Sequence, residues 1–360
     1  MVQVKSKQST KHDRPSTAKV WVLAARPHTL TASIAPVLVG WAVVNYFYKC
    51  TQSETNRCYA PDNFKDLNRI ALMFGAFACL IQLGTNLHND YADFIKGADT
   101  KERVGQARAT QRGWLTPFET AAASTICLLI ATVLGIMLTG MTGRWNDPYM
   151  IFVTVTSVFN AVCYTGGPYP LGYIGLEHWS IAYSGLGDIF VFLYFGLVAT
   201  VTVPYVVLSK DGDMTTLNIL QHELFWTTFI VAMPVGFLAT GIIVVNNLRD
   251  RLTDVGVGKN TLAVKFGETF TRIEYIVLVL GSYFMLVPIS MMAGFNANGS
   301  TMNYALLLPI ISLLPARKAL KVMGFGSGKK DGASLNPYVG GTAKVQLLYC
   351  LLFMVGLKLS

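Results

Sequence analysis

The sequence predicts an all-α protein, a multi-pass transmembrane helical bundle of about nine helices around a central cavity, on three observations. Half of the residues are hydrophobic (52%) and only 14% are charged, which excludes an ordinary soluble domain. Long apolar runs recur along the chain, and about 20 such residues cross a bilayer core as a helix. The 29 Lys and Arg residues also fall unevenly about those runs, 22 on the side of the N-terminus and 7 on the other. That asymmetry is the positive-inside bias. A lipid-facing barrel would show short alternating segments instead.

Residues 1–25 read as a polar, basic N-terminal tail and 26–360 as the membrane domain. The tail has no apolar core of the kind a secretory signal carries. Pro27 suits a helix start, and Arg26 is either a membrane-interface anchor or a cation facing the site. The apolar runs cover 29–48, 70–88, 117–140, 149–166, 186–207, 223–247, 270–293, 303–316 and 343–358. The eighth is short, and the fifth carries Asp188 near its start. Between the fourth and fifth, the Gly- and Pro-rich stretch 163–176 forbids continuous helix and demands a specific turn. The basic stretch 317–344 is expected as a loop. Cys50 and Cys58 share one loop on the far side, where a disulfide forms if that side is oxidising; the other four cysteines lie in apolar segments.

The net charge of +9 invites a nucleic-acid reading, but the cations sit where they set membrane topology, so no nucleic-acid partner is expected. The informative stretch is Gly84–Arg112, where an apolar run ends in amides and carboxylates followed by cations. Asn86, Asp90 and Asp93 stand at i, i+4 and i+7, on one helical face. Gly97 is expected to end that helix. A second cluster, Asn246, Asn247, Asp250 and Asp254, follows another apolar run. Carboxylates at membrane-helix ends need compensation. Mg2+ provides it, being a hard cation that takes few protein carboxylates and substrate phosphates.

The neighbouring cations suit the same ligand: Lys96, Lys101, Arg103 and Arg108 after the first cluster, Arg249, Lys259 and Lys265 around the second. A diphosphate held this way, with an apolar tail in a lipid-open bundle, is an isoprenyl diphosphate. Tyr91, Phe94, Tyr164 and Tyr169 could shield an allylic carbocation, although lining the core is the commoner role for any one of them. Asp188 either caps the fifth run or reaches into the site. The competing class is an ion-coupled transporter; acids at span ends rather than mid-span favour an enzyme.

These motifs carry a resemblance. N-L-x-N-D-Y-x-D-x-x-K-G-x-D at 86–99, T-G-G-P-Y-P-x-G-Y-I-G-L at 165–176, G-L-G-D at 185–188 and N-N-L-R-D-x-x-x-D-x-x-x-G-K-N-T-L at 246–262 are similar to the UbiA superfamily of intramembrane aromatic prenyltransferases. Within it, the chain most resembles the 1,4-dihydroxy-2-naphthoate polyprenyltransferase branch, from about Arg26 to the C-terminus. The resemblance implies that Asp90, Asp93, Asp250 and Asp254 hold Mg2+ and diphosphate, with Asn86, Arg103, Arg108, Lys259 and Asp188 assisting. It also implies that the prenyl group replaces the naphthoate carboxylate. CO2 and pyrophosphate then leave, and the product is of the demethylmenaquinone or demethylphylloquinone type. Homogentisate and 4-hydroxybenzoate are the alternative acceptors. Both acidic motifs and the N-terminus are expected on the positive, cytoplasmic-equivalent face. The chain departs from the family pattern at Gln106-Ala107, where a Pro is usual, and by about ten extra residues from Glu177 to Leu186.

Overall fold

The computed structural model describes residues 14–53, 66–99, 104–106, 108–210, 214–292 and 302–360. Arg103, Lys101 and Cys58 lie outside them, and with Cys58 the expected disulfide. Helix α1, Thr17–Ala25, falls within the stretch read as a tail. It forms because Val20 and Ala24, one turn apart, pack on Leu87, Ala109 and Leu115. It stops at Arg26, whose left-handed φ of 51° turns the chain into the 3-10 turn Pro27–Thr29.

The spans follow. α2 is Leu30–Ser53 and α3 is Leu67–Ile95. α4, Pro117–Met141, starts with a complete capping box between Thr116 and Glu119. α5 is Pro148–Cys163, capped by Asp147. After a 3-10 turn at Leu171–Ile174 come α6, Ile181–Ser184, and α7, Gly187–Val191. α7 runs through a π-helical stretch, Phe192–Val198, into α8, Ala199–Ser209. α9 is Thr216–Gln221, α10 Glu223–Gly256 and α11 Leu262–Phe284. α12, Leu286–Ser290, precedes a 3-10 segment, Tyr304–Ser312, and α13, Leu313–Met323. A last 3-10 turn, Gly332–Leu335, leads into α14, Asn336–Leu359.

The nine apolar runs therefore lie mostly on helical segments, and among the described residues seven helices are long and apolar enough to cross a membrane. Pro148–Cys163 is apolar but shorter. The exposed residues of α4 settle which solvent the bundle faces. Ile126, Leu129, Ile130, Val133, Ile136 and Met137 form one continuous outer stripe, which only lipid would cover at no cost. The chain is an integral, multi-pass membrane protein.

The seventh span begins after a break at Gly267 (φ 80°, ψ −176°), close to the start read from the sequence, and Leu262–Phe266 before it forms a separate first turn capped by Thr261. One stretch differs from the sequence reading. The stretch 317–344 is helical at both ends, because α13 continues to Met323 and Asn336-Pro337 starts α14 early.

Helix length places the site. α3 has 29 residues and α10 has 34, hence lengths of about 43 and 51 Å. Both exceed the roughly 30 Å hydrocarbon core, which leaves length for their last turns to lie beyond it. Those turns carry the two acidic clusters.

Candidate active site

A cavity of about 630 Å³ opens among α2, α3, α7, α10 and α14, within the usual range for small-molecule sites. Asn86 and Asp93 from α3 line it, and so do Asn246, Asn247, Asp250 and Asp254 from α10. The two clusters thus meet over one space, at the same end of the bundle. Arg26, Arg108, Lys259, Tyr164 and Asp188 line it as well. Deeper, the wall turns apolar through Val191, Phe195, Ala239, Ile242 and Val339.

The first cluster is organised by two arginines from distant parts of the chain. Arg26 donates from Nη2 to Asp90 Oδ1. Arg108 donates from Nη1 to Asp93 Oδ2 at 2.6 Å, to Asp99 Oδ2 at 3.2 Å and to the Asn89 carbonyl at 2.7 Å, and its Nε lies 3.5 Å from Asp90 Oδ1. Burial pushes the Arg108 guanidinium down, but Asp93, Asp99 and Asp90 together raise it above its ordinary value, so it stays a fixed cation. Asn86 donates to the Ala25 carbonyl and to Thr29 Oγ1, both at 3.0 Å, and accepts from Gln82 Nε2 at 3.1 Å. That network fastens the strained Arg26 corner to α3.

Asp90 itself is fully buried and does not line the cavity. Its Oδ2 has no hydrogen-bond partner among the described residues. As expected from sequence, the helix ends just before Gly97, whose φ of 72° lets the chain bend back towards Asp99.

In the second cluster, Arg249 makes a bidentate pair with its neighbour Asp250, at 2.7 and 2.6 Å. It also donates to Asn246 Oδ1 at 2.7 Å and to Asn336 Oδ1 at 3.0 Å. Asn336 in turn donates to the Val104 carbonyl at 2.9 Å, which ties α14 and α10 to the loop after α3. Arg249 is not a lining residue; it sets the carboxylate that is. Lys259 Nζ lies 3.8 Å from Asp254 Oδ1. Asn247 Nδ2 reaches both oxygens of Asp188, at 3.3 and 3.4 Å.

The Gly-Pro turn closes the site from a third side. Lys96 Nζ donates to the Thr165 carbonyl, Thr165 Oγ1 donates to Asn89 Oδ1, and His88 Nε2 bonds the Gly166 carbonyl at 3.0 Å. Residues that sequence reasoning passed over as site residues are Gln82, Thr29 and Tyr183, all of which line the cavity. Gln82 stands one turn before Asn86, so the same helical spacing could have found it. Nothing in the sequence pointed to Tyr183.

Among the described residues, no three His, Cys, Asp or Glu side chains stand together closely enough to hold a metal by themselves. The donor set instead suits Mg2+, which usually takes one or two carboxylates and completes its shell with water and phosphate oxygens. The partnerless oxygen of buried Asp90 fits the same need for a further cation.

Comparison with known proteins agrees with this geometry. The model of the UbiA prenyltransferase family matches residues 57–324. The chain is 29% identical to a 1,4-dihydroxy-2-naphthoate octaprenyltransferase of Escherichia coli, across 96% of this chain and 97% of that one. It is 28% identical to the protein of the same name from Mycobacterium tuberculosis, across 92% and 94%. A UbiA prenyltransferase domain-containing protein 1 homolog of Drosophila melanogaster is 25% identical across 94% of this chain and 79% of its own. A UbiA homolog from Archaeoglobus fulgidus, solved bound to DMAPP and Mg2+, shares the fold with a TM-score of 0.52 at 13% identity, covering 93% of this chain and 99% of that one. The transporter reading finds no support in these relatives. The chain belongs to the UbiA prenyltransferase family, and it is a prenyltransferase.

Proposed function

We propose that the protein transfers a prenyl group from an isoprenyl diphosphate to 1,4-dihydroxy-2-naphthoate, with release of pyrophosphate and CO2. The observation that carries this reading is one cavity shared by both clusters, acidic and cationic at one end and apolar below. The relatives named for dihydroxynaphthoate prenylation, which align over nearly the whole chain, favour that acceptor over homogentisate or 4-hydroxybenzoate. Asp93, Asp250 and Asp254 would hold Mg2+ together with the substrate's phosphate oxygens, with Asp90 behind them. The metal would supply charge stabilisation for the departing pyrophosphate.

The chain's own residues do the rest. Arg108 and Lys259 place fixed positive charge where the diphosphate develops negative charge, and Lys96 stands behind them. The apolar wall orients the tail and excludes water from the allylic carbon. Tyr164 and Asp188 sit between the cationic end and that wall, where the aromatic acceptor would lie. The C1–O bond breaks with its electron pair going to pyrophosphate. The ring carbon bearing the carboxylate forms the new C–C bond, and loss of CO2 returns the electrons to the ring. The product leaves as the quinol, with no net proton needed. The positive face, with the N-terminus, is the side on which we place pyrophosphate release.

The test supplies membranes carrying the protein with one labelled prenyl diphosphate and each of the three acceptors. Prenylated naphthoquinol, with equimolar CO2 and pyrophosphate, is the expected result. Product from another acceptor alone would overturn the assignment.

A further inference from the structure

The extra residues Glu177 to Leu186 are built into the site rather than looped away from it. The Gly167 amide donates to the Glu177 carbonyl at 3.1 Å, and Ser180 Oγ and the Ala182 amide both donate to the Tyr164 carbonyl at 2.9 Å. On the other side, the Asn260 amide donates to the Tyr183 carbonyl at 3.1 Å, and Lys265 Nζ donates to the Ser184 carbonyl at 2.7 Å. The segment therefore joins the Gly-Pro turn to the loop that follows the second acidic cluster.

At its centre, half-buried Tyr183 lines the cavity and donates its hydroxyl to Asp93 Oδ1 at 3.1 Å. Its ring carries two ammonium groups. Lys96 Nζ stands 4.4 Å from the ring centroid and Lys259 Nζ 5.9 Å. Burial pushes Lys96 down, Asp93 opposes that, and Lys259 adds to it as a like charge. Two lysines, one beside each acidic cluster, are thus gathered about one aromatic ring despite their repulsion.

We propose that Tyr183 is a diphosphate-positioning residue: its ring holds Lys96 and Lys259 together as a two-lysine clamp for the prenyl diphosphate, while its hydroxyl orients Asp93. This deepens the function proposed above and rests on it. An aromatic face attracts an ammonium without neutralising it, so both charges still act on the phosphates, Lys259 from the cavity wall and Lys96 from behind it. The role concerns the diphosphate end of the site and not the acceptor.

The experiment compares wild type with Tyr183→Phe, which keeps the ring, and Tyr183→Leu, which removes it. KM for the prenyl diphosphate, Ki for pyrophosphate and KM for the acceptor are measured in detergent. Tyr183→Leu is expected to raise the first two together, roughly five- to thirtyfold, the range that two cation–π contacts supply. Acceptor KM should stay within about twofold, and Tyr183→Phe should fall well short of Tyr183→Leu. If Tyr183→Leu does not accumulate as folded protein, Tyr183→Met, which fills similar space without a ring face, decides, with the same paired rise expected. A rise in acceptor KM, a loss of kcat alone, or equal effects of Phe and Leu would overturn the clamp. Failure of wild type to use any prenyl diphosphate would instead overturn the proposed function, so the two are told apart.

Discussion

Arg108→Met tests the electrostatic design of the site most severely. Arg108 reaches Asp90, Asp93 and Asp99 alike, and its side chain is 7% exposed. A hydrogen bond between charged groups contributes about 1.5–3 kcal/mol, and Arg108 makes two short ones to carboxylates and one to a carbonyl. Their gross sum is about 4–7 kcal/mol, reduced by Arg26 on Asp90 and by water entering the cavity. That leaves about 3–5 kcal/mol, the usual cost of leaving a buried charge without its partner. The apparent Tm in detergent should drop by roughly 4–7 °C for a chain of 360 residues. Excess Mg2+ should raise the melting point of Arg108→Met more than that of wild type, because the metal replaces part of the lost positive charge. Arg108→Lys should fall between, since an ammonium lacks the fork that spans several acceptors. Thermal unfolding followed by tryptophan fluorescence, with and without Mg2+, measures all of this. A melting point within about 2 °C of wild type, with equal Mg2+ shifts in both proteins, would refute the reasoning.

Three further outcomes follow from the same geometry. Asp93→Ala and Asp250→Ala should each lower product formation at least about a hundredfold while membrane insertion persists, read by prenyl transfer beside a membrane-fraction blot. Chelation of divalent metal should stop the reaction and Mg2+ restore it; turnover in excess chelator would contradict the assigned donor set. Gly166→Ala should cost about 1–3 kcal/mol, because Gly166 has φ +71° and an added Cβ would lie 2.0 Å from the Trp179 carbonyl oxygen. Its thermal unfolding should show that loss, together with reduced kcat/KM, since the same turn holds Lys96 and His88.

The parts of this site written in helical period were readable beforehand, and the parts made by distant contacts were not. Asn86, Asp90 and Asp93 share a face because a helix returns every 3.6 residues, and the apolar runs announced the spans by length alone. Arg26 could not be assigned, because its value lies in a contact with Asp90 across 64 residues and in a left-handed corner that no local pattern demands. Arg249 reads as one more cation near phosphate, yet its bidentate bond to the adjacent Asp250 makes it a support for that carboxylate. Tyr183 was hidden most completely. It stands 90 residues from Asp93 in a stretch read from the sequence only as extra residues, and only the folded turn brings the two together. The early start of α14 was missed because glycines and charges resemble a loop, although Asn336-Pro337 is a competent helix start.

The central claim is that both acidic clusters grip one magnesium-bound diphosphate. Affinity for an unreactive prenyl thiodiphosphate, measured with Mg2+ on wild type, Asp93→Ala and Asp250→Ala, tests it most directly. Each substitution should weaken binding at least about tenfold, a loss of 1.4 kcal/mol or more. Wild-type affinity in either variant would mean that one cluster alone holds the ligand, contradicting the account.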